Sequence, residues 1–91
     1  MARIARSVRV TGRVQGVFFR AWTKEQAERH GVNGWVRNCP DGSVEAHLEG
    51  EDGAVSQLVD LIGDGPPSAR VSNVRVSDAE VEGADSFEVR R

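Results

Sequence analysis

Gly12-Arg13-Val14-Gln15-Gly16-Val17-Phe18-Phe19-Arg20 lies where one periodicity of this chain ends and another begins. Before it, Val8, Val10 and Val14 share one parity while Ser7, Arg9, Thr11 and Arg13 share the other, the alternation of a half-buried strand running from Ser7 to Val14. After it, Ala21 to His30 holds neither Gly nor Pro and is rich in Lys, Glu, Gln and Ala, so a helix begins near Arg20 and stops at Gly31, with Phe19, Trp22 and Ala27 as its inward residues. The segment is therefore a strand exit, a glycine-bearing loop and a helix start. The first N–H groups of a helix lack partners within it, and glycine lets neighbouring amides turn inward to form a concave anion site. An arginine at that end opposes the helix dipole at a cost of about 0.3–1 kcal/mol, which a bound dianion such as phosphate offsets. The plain alternative is a simple turn with Arg20 in water.

The rest of the chain extends the pattern. Val32 to Asn38 reads as a second strand with Trp35 and Val36 on opposite faces, and Pro40-Asp41-Gly42 as a turn joining it to an antiparallel neighbour. Ser43 to Gly50 alternates, with Val44, Ala46 and Leu48 against Ser43, Glu45, His47 and Glu49, so the third strand has one dry face. Asp52 is the expected N-cap of a second helix whose Val55, Leu58, Val59 and Ile62 form its apolar stripe, and Gly63-Asp64-Gly65-Pro66-Pro67 ends it. A fourth strand runs from about Arg70 to Val81. Val71 is out of phase with Val74 and Val76, which predicts either a bulge or a late strand start near Ser72 and Asn73. Gly83-Ala84-Asp85 turns the chain into a short final strand at Phe87 and Val89. The order βαββαβ plus one strand is that of an α+β ferredoxin-like split βαβ sandwich. It predicts an antiparallel sheet with both helices on one face and water on the other, in a single domain spanning residues 1–91.

A chain of 91 residues with a net charge of −2 gives no electrostatic reason to seek nucleic acid or an anionic membrane. An RNA-recognition module of this topology needs aromatics on the open face, where Arg9, Thr11, Arg13, Glu45, His47 and Glu49 stand instead. The arginines Arg3, Arg6, Arg9 and Arg13 read as a solvated strand face, and the carboxylates Asp41, Glu45, Glu49, Glu51 and Asp52 as another that pairs with Arg9 and Arg13. His30 and His47 read as structural, and no metal or organic cofactor is implied. The lone Cys39 allows no internal disulfide and reads as a buried or neutral turn thiol, not a nucleophile. Met1 to Arg6 has no apolar signal core, and no run is long enough to span a membrane. The expectation is a soluble, cytoplasmic monomer.

Gly12 to Arg20 resembles the G-x-V-Q-G-V-x-F-R signature of the acylphosphatase family. Gly34-Trp35-Val36-Arg37-Asn38-Cys39-Pro40-Asp41-Gly42-Ser43-Val44, continuing to Gly50, resembles that family's second signature at the expected distance. The likeness covers almost the whole chain. It implies an enzyme that hydrolyses a small-molecule acyl phosphate to a carboxylate and inorganic phosphate, with a phosphate or sulfate ion expected in its site. By the same resemblance Arg20 is the phosphate-binding arginine, the amides of Gln15, Gly16, Val17, Phe18 and Phe19 are the cradle, and Asn38, otherwise an ordinary turn residue, orients the attacking water. Cys39 stands where some members of the family carry a hydroxyl. The alternative reading is a non-catalytic phosphate-binding or regulatory module, related to the acylphosphatase-like domains of carbamoyltransferases. Asn38 argues against it, since holding phosphate requires no water-positioner.

Overall fold

The computed structural model describes residues 3–91, so the reading of Met1 and Ala2 falls outside it. In chain order the elements are β1 (Arg3–Arg13), α1 (Phe19–His30), β2 (Asn33–Asn38), β3 (Val44–Glu51), α2 (Asp52–Asp64), β4 (Arg70–Ala79) and β5 (Phe87–Arg90). They form one five-stranded sheet of order β4-β1-β3-β2-β5. The first four strands pair antiparallel in the ferredoxin-like arrangement, whereas β5 runs parallel to β2, so the sheet is mixed and not wholly antiparallel. Its direction follows from its connection: the chain leaves β4 at one edge and crosses to the other before pairing Phe87 with Gly34.

Register decides which side chains are dry. Opposing β1 and β3 as Val8↔Ala46 and Val10↔Val44 puts the apolar parity of both central strands on one face. There they meet Phe19 and Ala27 of α1 and Val55, Leu58 and Ile62 of α2 in a continuous buried cluster. Each buried aliphatic side chain of this kind stabilises the fold by roughly 1.5–3 kcal/mol relative to exposure. The most enclosed stripe of α1 is Phe19, Thr23 and Ala27, one residue every four. Trp22 packs against the border of the core with its ring edge-on to Phe19 at 5.6 Å. Gly31 ends α1 in a Schellman turn, the Val32 N–H donating to the Ala27 carbonyl at 2.9 Å.

Two expected boundaries move. Asp52 is the first helical residue, not the N-cap, because β3 runs straight on to Glu51 and leaves no loop from which Asp52 can cap; its carboxylate accepts from Ser56 Oγ at 3.4 Å instead. β4 stops at Ala79 instead of Val81. The phase break in β4 is a bulge: Thr11 pairs with Asn73 and Gly12 with Val71, which leaves Ser72 extra. Gly12 has φ +124° there, and a Cβ on it would lie 2.2 Å from the Arg70 carbonyl oxygen, so only glycine fits.

The second face of the sheet is not the open surface that alternation predicts. Arg9 does pair with Asp41 at 3.5 Å and Glu45 at 3.8 Å, but His47 and Glu49 are 4% and 0% exposed. The β4–β5 connection covers them, since a chain crossing from one sheet edge to the other passes over the strands between. Glu49 accepts N–H bonds from Glu82 and, at 3.0 Å, from Ala84, while Arg3 pairs with it at 3.4 Å. The His47 Nε2–H donates to Glu49 Oε2 at 2.6 Å, and the Trp35 ring stacks on the imidazole with centroids 5.9 Å apart. Among the described residues no helix is long and apolar enough to cross a membrane.

Burial alone raises the Glu49 carboxyl, but the His47 hydrogen bond, the two amide donors and the nearby His47 charge outweigh it and hold it below its ordinary value of 4.5. A carboxyl lowered in the folded state stabilises the protein fully above its unfolded value and loses that contribution as pH falls through the folded one. Glu49→Gln is therefore expected to flatten the stability–pH curve below about pH 4.3 and to lower stability near neutrality by about 2–4 kcal/mol, read by urea unfolding at a series of pH values. An unchanged acid limb overturns this account of Glu49.

Candidate active site

Between β1 and α1 the backbone alternates in hand. Gly16 has φ +74° and Phe18 φ +62°, and Phe18 is the sole non-glycine with positive φ among the described residues, so Gln15 and Val17 lie on the negative side. Alternation of this kind turns successive N–H groups toward one concavity. It runs directly into the start of α1, where Phe18 occupies the N-cap in the left-handed region. No side chain caps the helix and no acid stands in its first turn, so the orphan amides remain available to an outside anion.

The loop is fastened at both ends and in the middle. Val14 and Phe19 are 1% and 2% exposed, and the Ser68 hydroxyl donates to the Val17 carbonyl at 2.9 Å. Gln15 reaches across to the β2–β3 hairpin, its Nε2 donating to the carbonyls of Cys39 and Ser43, each at 2.8 Å. Those carbonyls also close the hairpin, because Cys39 N–H donates to Ser43 O at 2.8 Å and Gly42 N–H to Cys39 O at 3.1 Å. In the turn itself the hydroxyl and then the amide of Ser43 hold the Asp41 carboxyl below the usual carboxylate range, with Arg9 adding to the effect. Asn38, the last residue of β2, is thus set by main-chain bonds on its C-terminal side; Cys39 contributes its amide and carbonyl while its thiol is buried.

Gly16, Phe18, Phe19, Arg20 and Asn38 line one pocket of about 310 Å³, together with Val14, Ala21 and Val89. Gln15 and Val17, expected with them, are not among its lining residues. The Arg20 guanidinium donates from Nη1 to the Arg90 carbonyl at 2.7 Å, so the end of β5 orients it and its other donors remain at the pocket wall. Lys24 Nζ donates to the Phe87 carbonyl at 2.9 Å and fastens α1 to the same strand. Reading along the chain misses these contributions of Gln15, Arg90 and Val89. The signal for Gln15 lies in pairing: the β1–β3 ladder ends at Val10↔Val44, which leaves the loop after β1 beside the hairpin that precedes β3.

The pocket lining includes no His, Cys, Asp or Glu. On the far face His47, Glu49 and Glu82 bring ligand-type atoms within 4.8 Å of one another, but the Glu49 oxygens are already taken by His47 and by the amides of Glu82 and Ala84.

Residues 6–89 match the model of the acylphosphatase family. The chain belongs to that family. A curated acylphosphatase from Rubrobacter xylanophilus is 59% identical, the match covering 98% of this chain and 84% of that protein. The solved structure of an acylphosphatase from Coxiella burnetii is 40% identical with a TM-score of 0.93 over 97% of this chain and 93% of its own. The full-length HypF crystal structure, in a phosphate- and nucleotide-bound form, is 25% identical with a TM-score of 0.89 but is covered only over 12% of its length. Near-complete matches to free-standing acylphosphatases make this chain an acylphosphatase enzyme and disfavour the regulatory-module reading.

Gln15 bonds two carbonyls that each keep a second partner, so Gln15→Ala is expected to destabilise the acylphosphatase by only about 1 kcal/mol. Gln15→Glu, which sets a carboxylate against two acceptors, is expected to cost about 2–3 kcal/mol. Urea midpoints compare the two; a glutamate variant as stable as the alanine one contradicts the bridging geometry.

Proposed function

We propose that Arg20 and the main-chain amides from Gln15 to Phe19 hold the phosphoryl group of an acyl phosphate while the Asn38 carboxamide aims the attacking water. The observation that carries this reading is the shared pocket: Arg20 and Asn38, on different elements, line one cavity at the mouth of an uncapped helix whose preceding loop alternates in hand.

The chemistry asks little else of the protein. The leaving group is a carboxylate whose conjugate acid has a pKa of about 4, so it departs at neutral pH without protonation and no general acid is required. The phosphoryl oxygens carry the developing charge, and a planar guanidinium with fixed amide dipoles stabilises them without reorganising. An amide side chain is no base. It accepts one hydrogen bond from water and donates another, which fixes the oxygen in line with the departing group, and the water's proton passes to a phosphoryl oxygen of the substrate. The P–O bond to the acyl oxygen breaks as the new P–O bond forms, giving a carboxylate and inorganic phosphate.

Inorganic phosphate or sulfate binds in the same cradle as a competitive ligand on this reading. The enzyme works as a single domain over residues 1–91, a monomer without metal or nucleic acid, and its lone cysteine accords with a cytoplasmic location.

Loss of ultraviolet absorbance from benzoyl phosphate tests the assignment. Arg20→Ala is expected to lower kcat/KM by about 10³-fold or more and to abolish inhibition by phosphate, because it removes a charge from ground and transition states alike. Asn38→Ala is expected to lower kcat by about 10²–10³-fold while phosphate still inhibits. Full turnover by the asparagine variant, with folding checked through Trp22 and Trp35 fluorescence, would remove Asn38 from the mechanism.

A further inference from the structure

Phe18 stands out on two counts that nothing within the folded chain explains. It is a bulky residue held at φ +62° and ψ +23°, a conformation that glycine and asparagine adopt readily and aromatic residues rarely do. The residue is also 84% exposed, so the core gains little from it, and the helix it precedes receives no side-chain cap. The hand of the backbone at this position is required by the loop, but the phenyl group is not.

Phe18 does line the pocket that holds Arg20 and Asn38, as do Ala21 and Val89, the last of which is itself 42% exposed. On the function proposed above, the phosphoryl group is held by Arg20 and the loop amides, and Arg20 and Asn38 are the polar side chains of the lining. The other side chains of the lining, Val14, Phe18, Phe19, Ala21 and Val89, are all apolar, and of the large ones among these Phe18 and Val89 are exposed.

We infer that Phe18, with Val89, forms an acyl-binding wall that makes this enzyme favour acyl phosphates with flat or extended apolar acyl groups over the two-carbon acetyl group. The inference rests on the function proposed above. Covering an exposed ring with an apolar acyl group removes hydrocarbon from water on both partners, and an aromatic acyl group adds offset or edge-on ring contacts. An acetyl group is too short to reach across the ring and gains little. The preference is carried by substrate binding and so is read mainly in KM.

The test compares benzoyl, butyryl and acetyl phosphate as substrates of the parent, Phe18→Asn and Phe18→Leu. Asparagine tolerates the left-handed backbone and removes the ring, whereas leucine keeps apolar surface without it. The readout is the ratio of kcat/KM between benzoyl and acetyl phosphate, which cancels any general disturbance of the loop. Phe18→Asn is expected to lower that ratio about tenfold, chiefly through KM for benzoyl phosphate, with Phe18→Leu between it and the parent and butyryl phosphate following the leucine variant more closely. A ratio that stays within twofold of the parent in Phe18→Asn overturns the acyl wall, whatever happens to the absolute rates. A parent that hydrolyses none of the three compounds overturns the underlying assignment as well.

Discussion

The register between β1 and β3 is the constraint from which the rest follows. With Val10 opposite Val44, the inward parity of both central strands meets the helices, and the chain leaving β1 comes out directly against the hairpin that ends β2. A slip of one residue would turn the valines outward and separate the loop from the turn in the same step. Hydrophobic burial specifies the register, and the register assembles the pocket. Gln15 then locks the arrangement by spanning from the loop to both carbonyls of the hairpin closure.

The sheet's two faces divide the work. One packs an ordinary hydrocarbon core, and the other holds a charged group out of water beneath the β4–β5 connection. A buried carboxylate is a poor source of net stability, because desolvation offsets most of what its partners return, but it accepts only a narrow set of positions for those partners. Glu49 fixes where residues 82 and 84 lie as the chain crosses to β5, and β5 presents the Arg90 carbonyl to Arg20. Trp35 adds to this side, since the Arg90 guanidinium carbon lies 4.8 Å from its ring centroid while its Nε1–H donates to Glu82 at 3.2 Å.

Strand and helix order was legible because each element shows its own period, and the phase break among the valines marked the place near Ser72, where pairing decides for a bulge over a late start. Arg20 and Asn38 could be singled out for a local reason: a cation opposes the dipole at a helix start, and a motif surrounds the asparagine. What escaped depended on pairing across distance. Nothing in the alternation of β3 distinguishes Glu49 from Glu45, yet one is fully enclosed and the other is not, because the crossing connection passes over only one end of the strand. The parallel direction of β5 and the reach of Gln15 are likewise settled between segments far apart in sequence. Asp52 failed as a cap for the opposite reason, since strand and helix join there with no loop between them.

The loop that alternates in hand offers main-chain N–H groups, and the residue across from it offers a carboxamide. Neither kind of group has a protonation equilibrium anywhere near neutrality. If grip and aim depend on such groups, as proposed above, the site holds no acid or base of its own to switch on or off. On the proposed roles, pH dependence that arises within the site itself comes from the ionisation of the bound phosphoryl group and not from an acid or base of the protein.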